Sequence, residues 1–79
     1  MNNEKYYEKL GKIYLEMSDL IRRANNLYEC REFLIDEFIN EERNYILKRL
    51  SKLKYQLKEL GIENNFKLKG EFWDEKNKN

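Results

Sequence analysis

The sequence contains no histidine, no proline and only one cysteine, Cys30. Histidine is the commonest general base near neutral pH and a common zinc ligand, so its absence excludes most catalytic and metal centres. A single cysteine cannot form an internal disulfide bond, whereas small secreted domains usually carry several. We therefore expect a protein that is not an enzyme, binds no cofactor or metal, and resides in the cytoplasm.

Long apolar segments are also missing. No run of apolar residues exceeds three, whereas a membrane-spanning helix needs about 20. The first residues, from Met1 to Tyr6, are polar and lack the apolar centre of a signal peptide. We expect a soluble protein without a membrane partner.

Neither sign of charge dominates. The 79 residues include 16 Lys and Arg against 15 Asp and Glu, for a net charge of +1. Such a balance gives no overall field for attracting nucleic acid or an anionic membrane, and it excludes a mimic of DNA. The hydrophobic fraction of 41% is too high for a disordered polyelectrolyte. A chain of this length forms one small domain.

What the sequence does contain is a long amphipathic pattern. In the first part, apolar residues alternate at spacings of four and three: Tyr6, Leu10, Ile13, Met17, Leu20, Ala24 and Leu27. A second apolar group follows: Leu34, Ile35, Phe38, Ile39, Ile46, Leu50, Leu53, Leu57 and Leu60. These spacings place each group on one face of a helix. Helix is predicted for most of residues 4–60.

The turn between helices has two candidate positions. Asn25 and Asn26 are poor helix formers, and Asn26 with Glu29 fits a capping box, which favours a turn near residues 24–28. Asn40, followed by two glutamates, offers a second helix start. The fold class is therefore all-α, an antiparallel helical hairpin or a small three-helix bundle over residues 1–61. A single long helix is the least favoured alternative.

The end of the helical region is marked by Gly61, which follows the last periodic residue, Leu60. Ile62 stands where a Schellman motif brings an apolar side chain back onto the helix. Residues 62–79 form a short extended C-terminal tail, because Phe66 to Lys69 alternates with period two as a strand does. The polar residues 74–79 are expected to be flexible.

Charge is unevenly distributed along the helical region. Residues 46–60 carry five cations, Lys48, Arg49, Lys52, Lys54 and Lys58, against the single acid Glu59. Residues 29–42 carry a net charge of −5. Cations on both flanks of an apolar stripe are typical of helix pairing, so we favour pairing with these acids over a nucleic-acid footprint. Arg31, Glu42 and Arg49 lie on or near the stripe. Either they find charged partners that fix register and oligomeric state, or their long side chains reach solvent from the edge of the stripe.

The aromatic content of 14% exceeds what one side of a two-helix hairpin can cover. Either the tail folds back under the helices, or a second chain covers the remainder. Since residues 1–45 sum to −3 and residues 46–79 to +4, we expect a homodimer. The candidate partner-binding residues are Tyr45, Lys48, Arg49, Lys52, Tyr55, Phe66, Leu68, Phe72 and Trp73.

These observations predict a small non-enzymatic module that binds a protein partner. Residue types with AT-rich codons make up 39 of the 79 residues, which indicates an AT-rich source such as a phage or mobile element. An inhibitor or adaptor acting on a larger host machine is therefore expected, an anti-CRISPR being one example. The alternatives are a nucleic-acid-binding or transcription-accessory protein, with Lys67, Lys69 and Trp73 among its contacts, and a self-assembling scaffold component.

Overall fold

Two long helices account for most of the chain. In the computed structural model, which describes residues 3–74, helix α1 spans Asn3–Glu29 and helix α2 spans Asp36–Glu59. Short 3₁₀ turns occupy Arg31–Phe33 and Glu71–Trp73. The described residues contain no strand. The prediction of an all-α antiparallel hairpin is confirmed, and the three-helix and single-helix alternatives are wrong.

The core lies between the two helices and draws one stripe from each. On α1 the buried residues are Ile13, Met17, Leu20, Ala24 and Leu27. On α2 they are Ile39, Ile46, Leu50, Leu53 and Leu57. The α1 residues all belong to the predicted stripe, because a spacing of four and three keeps side chains on the face that meets the other helix. A fully buried aliphatic side chain contributes about 1.5–3 kcal/mol, so these two stripes are the main source of stability.

The turn between the helices lies at residues 30–35, and the predicted turn near residues 24–28 is wrong. Helix α1 continues through Asn25 and Asn26, whose side chains are exposed, while their neighbours Ala24 and Leu27 are buried in the core. Packing of these neighbours outweighs the low helix propensity of asparagine. The predicted break at Asn40 is also wrong, because Asn40 lies inside α2.

Backbone hydrogen bonds form the observed turn. The Cys30 N–H donates to the Asn26 carbonyl at 3.0 Å, and the Phe33 N–H donates to the Cys30 carbonyl at 2.9 Å. Leu34 and Ile35 then adopt extended backbone conformations, which reverse the chain before α2 begins at Asp36. The turn needs neither glycine nor proline, which is why the sequence carries no strong signal for it.

Helix α2 ends in the predicted Schellman motif. The Ile62 N–H donates to the Leu57 carbonyl, and the Gly61 N–H donates to the Lys58 carbonyl, both at 2.9 Å. Gly61 has a φ of +86°, a conformation that glycine adopts without the steric cost of a Cβ. This motif turns the chain back toward the hairpin.

The C-terminal segment, residues 62–74, runs back along the hairpin toward the inter-helix turn. The Lys54 ammonium donates to the Phe66 carbonyl at 2.6 Å, and Arg43, further toward the turn, donates to the Phe72 carbonyl at 3.0 Å. From residue 62 to residue 69, partly buried residues alternate with exposed ones, and no strand forms there. Trp73 ends the segment in the core. From residue 75 on, the predicted flexible end lies outside the described residues.

Helix length and hydropathy also bear on the membrane prediction. Within residues 3–74, neither helix combines the length and the apolar character that crossing a bilayer requires.

Candidate protein-interaction surfaces

Four of the predicted partner-binding residues belong to the C-terminal segment, and the structure packs them against the hairpin. Trp73 is only 8% exposed, and Phe66, Leu68 and Phe72 are partly buried against the core. The Phe72 ring meets Tyr28 edge-on, with 5.4 Å between ring centroids. The structure therefore favours the alternative in which this segment completes the chain's own core.

Two ion pairs join the helices on one side of the hairpin. Arg23 donates two hydrogen bonds to the Glu42 carboxylate, at 2.8 and 2.9 Å. Arg49 contacts Glu16 at 2.6 and 2.9 Å. The charged residues near the stripe, Glu42 and Arg49, thus find partners on α1, and Arg49 is engaged within the chain.

The bidentate pair also shifts the pKa of Arg23. The hydrogen bond that Arg23 donates to the Glu42 carboxylate raises the pKa of Arg23 above its ordinary value, and burial opposes this effect. The guanidinium also lies over the Tyr45 ring, 4.8 Å from its centroid, which is a cation–π geometry. The salt bridge and the contact with the ring therefore both favour the charged form of Arg23.

The remaining predicted residues share one exposed face of α2. Tyr45 is 45% exposed and Tyr55 is 63% exposed, and Lys48 and Lys52 are exposed between them. Phe38, Glu41 and Glu59 continue the same alternation of three and four residues. The outer α2 row is the set of these seven residues: Phe38, Glu41, Tyr45, Lys48, Lys52, Tyr55 and Glu59. The structure thus brings four of the predicted contacts together on one surface.

The second exposed surface, the hairpin tip, comprises residues 29–37. Phe33 is 84% exposed and Ile35 is 69% exposed. Sequence reasoning missed this surface because Ile35 continues the apolar group of α2 and was expected in the core. A signal for it existed in the three consecutive apolar residues from Phe33 to Ile35, since one face of a helix cannot bury three in a row.

Acidic side chains surround the apolar residues of the tip. Glu29, Glu32, Asp36 and Glu37 are all exposed there. The one cation, Arg31, lies 3.8 Å from the centroid of the Tyr28 ring and donates to the Tyr28 carbonyl at 2.6 Å. The hairpin tip is therefore an apolar patch within a negative field.

Several contacts proposed for nucleic acid are engaged elsewhere. Arg49 pairs with Glu16, Lys54 donates to the Phe66 carbonyl, and Trp73 is buried. In the part of the chain that the structure describes, no group of three His, Cys, Asp or Glu residues is arranged to hold a metal ion. The exposed surfaces that remain carry aromatic side chains, which are enriched at protein interfaces.

No protein-family model matches this chain, and neither a curated protein nor a solved structure shows significant similarity to it.

Proposed function

We propose that this protein is a non-enzymatic protein-binding module and that the hairpin tip is its contact with a partner. The observation that carries the proposal is the exposure of Phe33 and Ile35, two residues apart at the end of the hairpin. Fully burying such side chains is worth about 1.5–3 kcal/mol each. Neither side chain belongs to the core, so burial of these two side chains against a partner could still contribute this free energy to binding.

The acids around the tip indicate the chemistry of that partner. An apolar patch that carries negative charge is complementary to an apolar pocket bordered by Lys or Arg. An anionic membrane or a nucleic acid would be repelled by Glu29, Glu32, Asp36 and Glu37. The proposed occupant is therefore a basic, amphipathic segment or groove of another protein.

A binder of this size acts by occupying a surface of a larger protein or by joining two surfaces. This is the inhibitor or adaptor role expected from the sequence, with an anti-CRISPR as one instance. We retain that role as a proposal, together with the phage or mobile-element source expected from the composition. Its test is whether purified protein blocks the activity of the partner that the tip contacts.

The first experiment measures binding with a defined probe. The probe is a synthetic amphipathic helical peptide built from Leu and Lys, and the control peptide replaces every Lys with Glu. We expect binding of the Lys peptide alone, weakened roughly hundredfold or more by Phe33→Ser together with Ile35→Ser. The matched control is Leu15→Ser, which removes an apolar side chain that is 67% exposed on α1. Equal binding of both peptides, or equal loss in the control variant, would contradict the proposal.

The second experiment locates the contact in cells. A photoreactive phenylalanine analogue replaces Phe33 in one variant and Tyr7 in another, since Tyr7 is 65% exposed near the other end of the hairpin. We expect a discrete crosslinked partner from position 33 and none from position 7. Adding Glu29→Lys and Glu32→Lys should abolish the crosslink while the free energy of unfolding changes little, because both side chains are exposed and Glu29 is the last residue of α1, where a cation is favourable. Identical products from positions 33 and 7 would refute the tip as the contact.

A further inference from the structure

The outer α2 row is a second heptad pattern on α2. The first pattern of this helix is the apolar stripe that packs in the core. Its seven residues follow one another at alternating spacings of three and four, and all are exposed. Three of them, Phe38, Tyr45 and Tyr55, are aromatic and 45–63% exposed. A surface helix of a hairpin ordinarily shows one apolar stripe with polar residues opposite. Aromatic residues repeated along a second stripe indicate a second packing partner.

Among the described residues, Arg23 of α1 contacts this row, with its guanidinium over the Tyr45 ring, and the side chains of the row are otherwise exposed. The C-terminal segment follows the other flank of α2, where Lys54 and Arg43 hold its carbonyl groups. Helix α1 occupies the core face, with the Arg49–Glu16 and Arg23–Glu42 pairs at its border. Apart from the contact between Arg23 and one face of Tyr45, the outer α2 row is the surface that these elements leave exposed.

We propose that the outer α2 row binds a second copy of this chain, with the two α2 helices antiparallel about a two-fold axis. In such an interface each residue contacts a different residue of the partner, and the contact occurs twice. In one register, Phe38 lies opposite Tyr55 of the second copy. Glu41 then lies opposite Lys52 of the second copy, and Tyr45 lies opposite Lys48. These three layers are an aromatic pair, an ion pair and a cation–π pair, and Glu59 lies beyond the end of the facing row.

The other arrangements are less favourable. A parallel pair would place each residue beside its own copy, so Lys48, Lys52 and Glu41 would each meet a like charge. Moving one antiparallel helix by seven residues in one direction brings Lys48 opposite Lys52 and Glu41 opposite Glu59. A move in the other direction leaves three residues, Lys52, Tyr55 and Glu59, without a facing residue in the row. The charges of the row are therefore complementary only to an antiparallel copy in the proposed register.

The proposal also explains where the acidic and basic halves of the helical region meet. Residues 36–42 and 46–59 belong to the same helix, so they cannot lie side by side within one chain. Two antiparallel copies bring the acidic part of one α2 beside the basic part of the other. The outer α2 row and the hairpin tip share no residue. A failed dimerisation test would therefore leave the proposed function of the tip unaffected.

Charge reversal at one layer tests the proposal. In Glu41→Lys, each Lys52 would face a lysine, and in Lys52→Glu, each Glu41 would face a glutamate. We expect each variant alone to be monomeric by sedimentation at concentrations where the unmodified chain forms a dimer. An equimolar mixture of the two variants should form a heterodimer, because both of its charge layers are again attractive. Lys67→Glu makes the same charge change as Lys52→Glu, but at an exposed site on the C-terminal segment. It should leave the dimer unchanged.

Three results would overturn the proposal: a monomeric unmodified chain up to millimolar concentration, single variants that dimerise like the unmodified chain, or a mixture that stays monomeric. Circular dichroism checks that each variant keeps its helices.

A second measurement leaves Glu41 and Lys52 unchanged and uses disulfide formation to test the register. Cys30 is exposed, so it is first replaced by Ser, and Tyr45→Cys and Lys48→Cys are made in separate chains. We expect a mixture of these chains to form the mixed disulfide faster than either symmetric one, and equal rates would contradict the register.

Discussion

Arg23 of α1 and Glu42 of α2 are joined by two parallel hydrogen bonds across the hairpin, at 2.8 and 2.9 Å. The Arg49–Glu16 pair repeats this contact with the charges exchanged between the helices. The two pairs span 19 and 33 residues, and both have their sequence midpoint between Glu32 and Phe33, inside the observed turn. The ion pairs and the turn therefore specify the same alignment of the helices.

The first prediction concerns the strength of the Arg23–Glu42 pair. A double-mutant cycle with Arg23→Ala and Glu42→Ala should give a coupling free energy of about 0.5–1 kcal/mol, because the pair is bidentate and the Glu42 side chain is only 18% exposed. Urea denaturation at low and high salt provides the measurement, and the coupling should fall with salt. The control is the Arg22–Asp19 pair, with side chains 68% and 58% exposed, which should couple by less than about 0.5 kcal/mol.

The raised pKa of Arg23 fixes how this contribution depends on pH. A basic group whose pKa is higher in the folded state stabilises the fold fully below its unfolded pKa. The contribution is lost only as the pH rises through the folded value, in strong alkali. Deprotonation of Arg23 should therefore not change the coupling between neutral and mildly alkaline pH.

The second prediction compares two glycines that differ in backbone conformation. A Cβ added at Gly11 or at Gly61 would meet no atom within 4 Å, so sterics with the surroundings play no part. Gly61→Ala should cost about 1 kcal/mol, because Gly61 has a φ of +86°. Gly11→Ala should stabilise by about 0.5–1 kcal/mol, because Gly11 lies inside α1. Thermal denaturation followed by circular dichroism should show Tm shifts of opposite sign, and shifts of the same sign would be inconsistent with the Schellman motif.

The third prediction concerns the C-terminal segment. Trp73 is buried and packs edge-on against Phe72, with 4.8 Å between ring centroids. Trp73→Ala should lower the free energy of unfolding by about 3 kcal/mol. It should also speed hydrogen exchange at the backbone amides of the C-terminal segment. Lys67→Ala, at an exposed site on the same segment, should change stability by less than about 0.5 kcal/mol. A Trp73→Ala variant as stable as the control would show that the segment adds nothing to the core.

The fourth prediction contrasts two leucines of the helices. Leu53 is 1% exposed in the core, whereas Leu15 is 67% exposed on α1. Leu53→Ala should cost about 2–5 kcal/mol, because it removes buried apolar area and leaves a cavity. Leu15→Ala should change stability by less than about 0.5 kcal/mol. Chemical denaturation of both variants measures the difference, and similar values would mean that the two stripes are misassigned.

The helices and their core were predictable because spacing alone determines them. The residues from Ile13 to Leu27 that the pattern selects on α1 are the ones that the structure buries. The Gly61 motif was predictable for a similar reason, since it depends on one glycine and one apolar residue at fixed positions. Both features rest on local geometry.

The turn was not predictable in this way, because no glycine or proline marks it and Leu34 still follows the α1 spacing. Leu34 lies seven residues after Leu27, and both Leu34 and Arg31, which stands between them, are partly buried. The phase of the buried stripe changes only beyond the turn, because Ile39, the first buried residue of α2, lies twelve residues after Leu27. The exposure of Phe33 and Ile35, and with it the hairpin tip, follows from the position of the turn and was missed for the same reason.

The exchanged charges of the two ion pairs also bear on how the helices find one another during folding. Because the apolar residues repeat every seven positions, two helices can pair with a register shift of seven residues and lose little buried area. Misalignment by seven residues in one direction would bring Glu16 to Glu42, and in the other direction it would bring Arg23 to Arg49. Both misaligned states are thus penalised by like charges, and the native state alone satisfies all four side chains.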